Sequence, residues 1–239
     1  MPLFHQPFLP PKAFCSSPRT QEAIEKGINA LPMKNIDAFG FDRDCLRVVQ
    51  GIPCTYLEYF YSRNKKVKAM QEAEKCRGQI CLEGEEELLK EYENSELCTK
   101  PAQLELRGGA KYSLAAVGLI DAIVNDKKEV HVVGVENGKT LSFMKEEDVV
   151  EVACVIDADG ARPLPLPDFS NAHIEAMMQT VKAYERHTVR CAVTGDKDEA
   201  MRALLVNPLV GDQMAARACF AEMLEAHKEF LPQFHKEGR

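Results

Sequence analysis

The chain has 239 residues and a formal net charge of −7 at pH 7, with 45% hydrophobic and 28% charged residues. This ordinary globular mixture excludes a wholly disordered chain, a collagen and a coiled-coil rod. The acidic balance argues against a nucleic-acid-binding protein, which needs a basic surface for phosphate. No apolar run approaches the roughly 18 residues of a membrane-spanning helix, and the first residues do not resemble a signal peptide. We therefore expect a cytoplasmic protein without a membrane partner.

Nine cysteines are scattered along the sequence without a Cys-x-x-Cys pair. The two nearest, Cys76 and Cys81, have no histidine or second cysteine pair close by at a spacing that suits zinc. Free cysteine is readily buried as a small apolar residue. We interpret these residues as reduced thiols, most of them in the core, which is consistent with a cytoplasmic location.

Proline divides the chain into two predicted parts. Residues 1–35 contain six of the thirteen prolines, and proline breaks both helices and sheets because it lacks an N–H donor. We predict an irregular N-terminal arm over 1–35, interrupted by one short helix near 20–29. The main domain is predicted to occupy 36–239.

The first part of the main domain gives mixed signals. An aromatic run at 55–61 is compatible with a strand or with a helical turn, since periodicity does not decide over so short a stretch. Apolar spacing predicts one helix over 63–77 and another over 85–92, with Gly78 and Gly84 interrupting them. On the second helix the residues predicted to face inward are Leu88, Leu89 and Tyr92.

The pattern is clearest from residue 108 onward. Alternating and β-branched residues predict strands over 129–135 and 149–156, with a turn signal at residues 137–138 between them. A helix is predicted over 110–125. Three apolar stripes, typical of helices that pack against a core, predict further helices over 174–191, 196–206 and 214–230.

Several common chemical motifs are missing from the sequence. There is no Gly-x-Gly-x-x-Gly between a strand and a helix, no phosphate-binding P-loop, no His-Glu-x-x-His and no Gly-x-Ser-x-Gly. The six histidines show no metal-binding spacing, so each is more simply a structural or surface residue. Among the 37 acidic residues, no pair can be selected as a catalytic acid and base.

One constellation does suggest a site, at residues 107–113. Gly108 and Gly109 precede a predicted helix, where backbone can approach a ligand closely and where the helix N-terminus favours anions. Arg107 can bind a phosphate or a carboxylate, and Tyr112 would lie in the first helical turn. The alternative is a glycine-capped helix that begins with a packed tyrosine.

Short segments of the sequence carry a family resemblance. They lie, in order, at residues 52–57, 99–101, 107–113, 119–126, 148–152, 179–185, 192–196, 207–210 and 225–232. Together they make residues 51–234 similar to the C-terminal domain of the NAD- and metal-dependent glycoside hydrolases of family 4, and within it to the 6-phospho-β-glucosidases. The resemblance implies an α+β fold, in which a small, mainly antiparallel sheet packs against helices, as in the C-terminal domain of lactate dehydrogenases. It also implies a homo-oligomer.

The resemblance implies an unusual reaction on a phosphorylated disaccharide. NAD takes a hydride from C3 of the sugar, a tyrosine removes the acidified C2 proton, the glycosidic oxygen leaves, and water adds back; this family departs from the two-carboxylate scheme. A divalent metal, often manganese, polarises the C2 and C3 oxygens. The family tyrosine matches Tyr112, which becomes the candidate general base. Arg107, Gly108 and Gly109 become candidate substrate-binding residues.

The sequence also departs from the family. It lacks the NAD fingerprint and the Cys-Asn and Asn-His segments that hold the metal, so no residue is assigned to the cofactor or to the metal. Glu136 stands where an arginine is usual, and a carboxylate there would repel a sugar phosphate. One hypothesis is a substrate-side half that is inactive by itself and needs a nucleotide-binding partner chain or an upstream segment. The other is a non-catalytic dimerisation or regulatory module.

Overall fold

The computed structural model describes residues 8–9, 41, 43–106, 112–166 and 171–235. The predicted arm over 1–35 lies outside these ranges except for Phe8 and Leu9. The chain divides into two compact units. The first comprises Met1–Glu136 and Val149–Phe169, and the second comprises Asn137–Asp148 and Ser170–Arg239.

Short helices make up the earlier part of the first unit. The aromatic run at 55–61 forms consecutive helical turns rather than a strand, and burial raises the pKa of Tyr61 to about 12, with a smaller contribution from Cys45. Phe41, Leu46 and Val49 are buried here. The elements are strand β1 (Phe8–Leu9), helix α1 (Arg43–Val49), strand β2 (Ile52–Pro53), helices α2 (Glu58–Tyr61), α3 (Arg63–Glu72) and α4 (Arg77–Tyr92), and 3₁₀ turns at Thr55–Leu57 and Ala102–Leu106.

Helices α3 and α4 correct three predictions. Helix α4 runs through Gly78 and Gly84 instead of being interrupted there, and it begins where the backbone N–H of Cys76 donates to the Gln79 side chain over 3.0 Å. Helix α3 ends at Glu72, where the backbone of Ala73 becomes extended, so the helix is shorter than the predicted 63–77. Of the three residues predicted to face inward, only Leu88 is buried; Leu89 and Tyr92 are exposed. Helix α4 packs on the 3₁₀ turn at 102–106, which covers only a narrow strip of its surface.

A three-stranded antiparallel sheet forms the later part of the first unit. The predicted strands are confirmed as β3 (Glu129–Glu136) and β4 (Val149–Asp157), and β5 (Gly160–Pro163) completes the order β3-β4-β5. Alternate residues of β4 are buried: Val150, Val152, Cys154 and Ile156. Helix α5 (Tyr112–Val124) contacts β4, so this unit has the α+β arrangement predicted from the sequence.

Three helices dominate the second unit, as predicted. They are α6 (Ala172–Thr194), α7 (Lys197–Val206) and α8 (Gln213–Ala226), followed by 3₁₀ turns at Lys228–Phe230 and Pro232–Phe234. The side chains of Asn171, Asp196 and Asp212 accept backbone N–H groups at the three helix starts, which satisfies donors that have no partner inside the helix. A small core of Cys191, Ala200 and Phe234 joins the helices to the C-terminal turns.

Within the described residues, no helix combines the length and the apolar character needed to cross a membrane.

Candidate functional site

Tyr112 is the first residue of helix α5, and its side chain is 71% exposed. The sequence placed it in the first helical turn, and the structure agrees. The other candidates of the same motif, Arg107, Gly108 and Gly109, lie outside the described residues.

Helix α5 lies close to the sheet at Gly118. A Cβ atom on Gly118 would lie 3.5 Å from the Cε1 atom of His131 on β3, and Ala122 is completely buried one turn later. Small residues on this side let the helix lie close to the strands. The His131 ring nitrogen Nε2 lies 3.3 Å from a Glu129 carboxylate oxygen.

Charged groups gather at the other end of α5. Asp121 accepts a hydrogen bond from Asn125 over 2.6 Å and forms an ion pair with Lys127. The hydrogen bond from Lys127, followed by that from Asn125, lowers the pKa of Asp121. Asp126 and Lys128 adopt positive φ angles of 49° and 57° in the turn to β3. These contacts fix the end of the helix that is farther from Tyr112.

The loop after β3 is organised by one buried side chain. Asn137 is 1% exposed, and its Nδ2 atom donates to the carbonyl oxygens of Leu141 over 3.0 Å and Lys145 over 3.1 Å. Its Oδ1 atom accepts the Leu141 N–H over 2.8 Å. The residue that sequence reasoning emphasised here, Glu136, is the exposed last residue of β3. The Asn-Gly turn signal marked the right place, but it did not reveal this network.

Replacing Asn137 with alanine is expected to lower the free energy of unfolding by about 2–4 kcal/mol, because it leaves buried backbone groups without partners. Urea denaturation measures this change, and amide exchange at Leu141 reports the local opening. Lys139→Ala, an exposed change in the same loop, is the control and should alter stability by less than about 0.5 kcal/mol. Equal effects of the two substitutions would contradict the role given to Asn137.

The loop is attached to α6 by a charged pair. Arg186 donates from Nε to a carboxylate oxygen of Asp148 over 2.9 Å and also binds its second oxygen through Nη2. The Lys145 N–H adds a hydrogen bond of 2.9 Å to Asp148. Burial by itself would raise the pKa of Asp148, but the Arg186 hydrogen bond and the Lys145 N–H hold it below its ordinary value. The carboxylate therefore stays ionised and fixes the loop.

A second buried carboxylate joins α6 to α7. Glu199 is 7% exposed and lies 2.6 Å from His187 Nδ1, 3.3 Å from Arg190 and 2.9 Å from Arg202. The His187 hydrogen bond, and after it the contact with Arg190, lowers the pKa of Glu199 against the opposing effect of burial. All its partners lie in these two helices, so the cluster holds the helix pair together.

Because folding lowers the pKa of Glu199, its contribution to stability is complete above its unfolded-state pKa of about 4.3. That contribution is lost as the pH falls through the lower folded-state pKa. We expect Glu199→Gln to reduce the loss of melting temperature between pH 7 and pH 3, as measured by thermal denaturation at each pH. Glu222→Gln, an exposed change on α8, should leave that loss unchanged. An unchanged pH dependence in the Glu199→Gln variant would contradict the assignment.

Comparison with known proteins identifies the family. The profile of the family 4 glycosyl hydrolase C-terminal domain matches residues 17–210. The chain belongs to this family. The family 4 chain is 37% identical over 216 residues to the probable 6-phospho-beta-glucosidase of Bacillus subtilis, covering 89% of this chain and 49% of that protein. With the 6-phospho-beta-glucosidase of Escherichia coli it shares 32% identity, over 87% of this chain and 47% of the relative.

A solved structure shows the same fold. The family 4 chain superimposes on the 6-phospho-beta glucosidase of Thermotoga maritima, determined with NAD and glucose-6-phosphate, with a TM-score of 0.74 at 26% identity. The match covers 88% of this chain and 49% of that one. A further structure of the same enzyme contains manganese, NAD+ and glucose-6-phosphate. The chain thus spans about half the length of the relatives it matches.

The described residues of the family 4 chain show no ready-made metal site. Within the described ranges, no three His, Cys, Asp or Glu side chains are grouped so that they could hold a metal ion. The buried carboxylates of Asp148 and Glu199 are already occupied by arginine and histidine partners. A metal ion would have to be held by residues other than these two.

Proposed function

We propose that this chain is the substrate-side half of a 6-phospho-β-glucosidase, which hydrolyses 6-phospho-β-glucosides once a nucleotide-binding half is supplied from outside these 239 residues. The observation that carries the proposal is the match to half of the Bacillus subtilis relative, which extends over 89% of this chain. The T. maritima relative, solved with NAD and glucose-6-phosphate, supports the same substrate class.

Within this proposal, four residues of the chain act on the substrate. Tyr112 is the general base, since its exposed side chain at the start of α5 is free to face a substrate. Arg107, Gly108 and Gly109 bind the substrate just before it. NAD and a divalent metal supply the redox and Lewis-acid chemistry of the assembled enzyme, and both are held chiefly by the other half.

The proposal also covers the cellular location and the oligomeric state of the chain. The eight cysteines in the described part of the chain form no disulfide with one another, and reduced thiols persist in a reducing compartment, so we place the chain in the cytoplasm. We also propose that the chain forms a homo-oligomer. Met214 and Phe230, two exposed apolar residues in the last part of the chain, supply apolar surface for such an assembly.

Reconstitution tests this function. The chain is combined with the half of the B. subtilis relative that it does not match, and hydrolysis of p-nitrophenyl 6-phospho-β-glucoside is measured with NAD+ and Mn²⁺. We expect turnover from the mixture and none from either half alone. If turnover is missing although the two halves form a complex, the catalytic proposal is wrong.

A second candidate function is a non-catalytic dimerisation or regulatory module. The observation in its favour is Glu136, whose exposed carboxylate ends β3 and would repel a phosphorylated sugar. Glu136→Arg separates the two candidates. A chain that binds glucose 6-phosphate only after this substitution would support the module, whereas binding by the unmodified chain would support the enzyme half.

A further inference from the structure

Helix α5 is apolar around almost its whole circumference. Asp121 is the only charged residue between Tyr112 and Val124, and its carboxylate is neutralised at the far end of the helix by Lys127. A helix that is apolar on all sides is typical of the interior of a protein, whereas a surface helix has one polar face. The sequence of α5 therefore suits a helix that is covered on every side.

The described residues cover only one side of this helix. Gly118 and Ala122 face the sheet, as the close approach of His131 and the complete burial of Ala122 show. On the other side, the large apolar side chains remain open to solvent, and Val117 in the middle of them is 64% exposed. We call these residues the α5 face: Leu114, Val117, Ile120, Ile123 and Val124.

The α5 face has the composition of a permanent interface. Its members recur at helical spacing along one side of the helix, and the one charged side chain at the edge of that side, Asp121, is paired with Lys127. Depletion of charge at the centre of an interface, with apolar residues in its place, distinguishes obligate contacts from transient ones. An uncovered apolar surface of this kind would also promote non-specific association.

We infer that the α5 face is the docking surface for the nucleotide-binding half of a family 4 glycosidase; this inference rests on the proposed function. Two observations favour that occupant. The chain spans 49% of the B. subtilis relative, so an equally long segment of the relatives has no counterpart in it. Tyr112 begins the same helix, and a half that docks along α5 brings its nucleotide beside Tyr112.

A second copy of this chain is a less suitable occupant. A copy that packed along α5 would crowd the exposed Tyr112 side chain and would bring no nucleotide to it. The second copy is therefore treated as an outcome of the test.

The test measures association without relying on activity. The chain is co-expressed with the tagged, unmatched half of the B. subtilis relative, and the amount of chain that co-purifies and the dissociation constant are determined. We expect a stable complex with the unmodified chain. Val117→Asp is expected to weaken it by at least about 30-fold, because an unpaired carboxylate would have to be buried. Circular dichroism of each variant confirms that it is folded.

A matched control separates docking from general stickiness. Val189 on α6 is also 64% exposed, so Val189→Asp makes the same chemical change on the other compact unit, and we expect the dissociation constant to stay within about threefold of the original. The inference is overturned if the unmodified chain captures no half, or if both variants lose binding equally. It is also overturned if Val117→Asp only dissociates a homodimer, which would make the second copy the occupant.

Failure of this inference is distinguishable from failure of the proposed function. A complex that needs Val117 but shows no turnover would retain the docking surface and reject the catalytic proposal. Turnover by an assembly that tolerates Val117→Asp would retain the function and reject this surface. Deleting residues 1–35 adds a third arm, since tighter binding of the half after the deletion would show that the N-terminal segment occupies the face instead.

Discussion

Replacing Gly195 with alanine is expected to lower the free energy of unfolding by about 3–5 kcal/mol. Gly195 ends helix α6 with a φ angle of 73°, a left-handed conformation that a side chain disfavours. A Cβ atom there would also lie 2.0 Å from the carbonyl oxygen of Gln233 and 2.5 Å from its carbonyl carbon. These are backbone atoms, so the C-terminal turns themselves would have to move away.

The energetic cost comes mainly from what those turns bury. Phe234 packs edge-on against Phe220 with ring centroids 6.1 Å apart, in the core that also contains Cys191 and Ala200. The Gln233 side chain donates to the Ala192 carbonyl over 3.1 Å. Displacing the segment would break this hydrogen bond and open the small core.

Urea denaturation followed by circular dichroism measures the Gly195→Ala effect, and limited proteolysis after residue 227 reports release of the C-terminal turns. Gly138→Ala is the matched control. Gly138 has a similar positive φ of 53°, but a Cβ atom there meets no atom within 4 Å. The control should cost only about 1–2 kcal/mol, the penalty for the left-handed conformation. Equal losses in the two variants would show that the contact with Gln233 contributes nothing.

Replacing Tyr112 with phenylalanine is expected to lower kcat of the reconstituted enzyme by about 10²–10⁴-fold, the range that general-base catalysis contributes. The substitution removes only the hydroxyl group. Because the side chain is 71% exposed, the melting temperature should stay the same within about 1 °C. A large loss of rate without a loss of stability is therefore the signature of the proposed base.

A second readout ties the Tyr112 effect to proton transfer. In deuterium oxide, the unmodified assembly should incorporate deuterium from solvent into the sugar ring of the product, and Tyr112→Phe should suppress this incorporation together with turnover. Tyr92→Phe, which alters an exposed tyrosine at the end of α4, should leave both unchanged. Full activity of the Tyr112→Phe assembly would refute the base assignment while leaving family membership intact.

The Gly195 substitution tests the stability of the fold, and the Tyr112 substitution tests catalysis. Gly195 matters because of where the chain folds back, and Tyr112 matters because of the chemistry proposed for it. The α5 face relates association to catalysis, because the helix that begins with Tyr112 also carries the apolar surface for which we infer a partner. An assembly that requires both Val117 and Tyr112 would support a single enzyme built from two halves.

Part of this protein was determined by local sequence pattern. Strong alternation of β-branched residues predicted β3 and β4, and apolar stripes predicted the three helices of the second unit, because these periods reflect which side of an element is buried. The short segments that resemble family 4 also sufficed to identify the family, as the match over residues 17–210 confirms. The position of Tyr112 at the start of a helix was predicted as well.

The tertiary structure decided what local pattern could not. Glycines predicted to interrupt α4 lie inside it, and Leu89 and Tyr92 face solvent because their helix packs along a narrow strip. The groups that join Asn137 are mostly backbone carbonyls, which every residue carries, so no residue type marks them. Gln233 and Ala192 are 41 positions apart. Such contacts depend on how whole elements pack, and periodicity within one element contains no information about its neighbours.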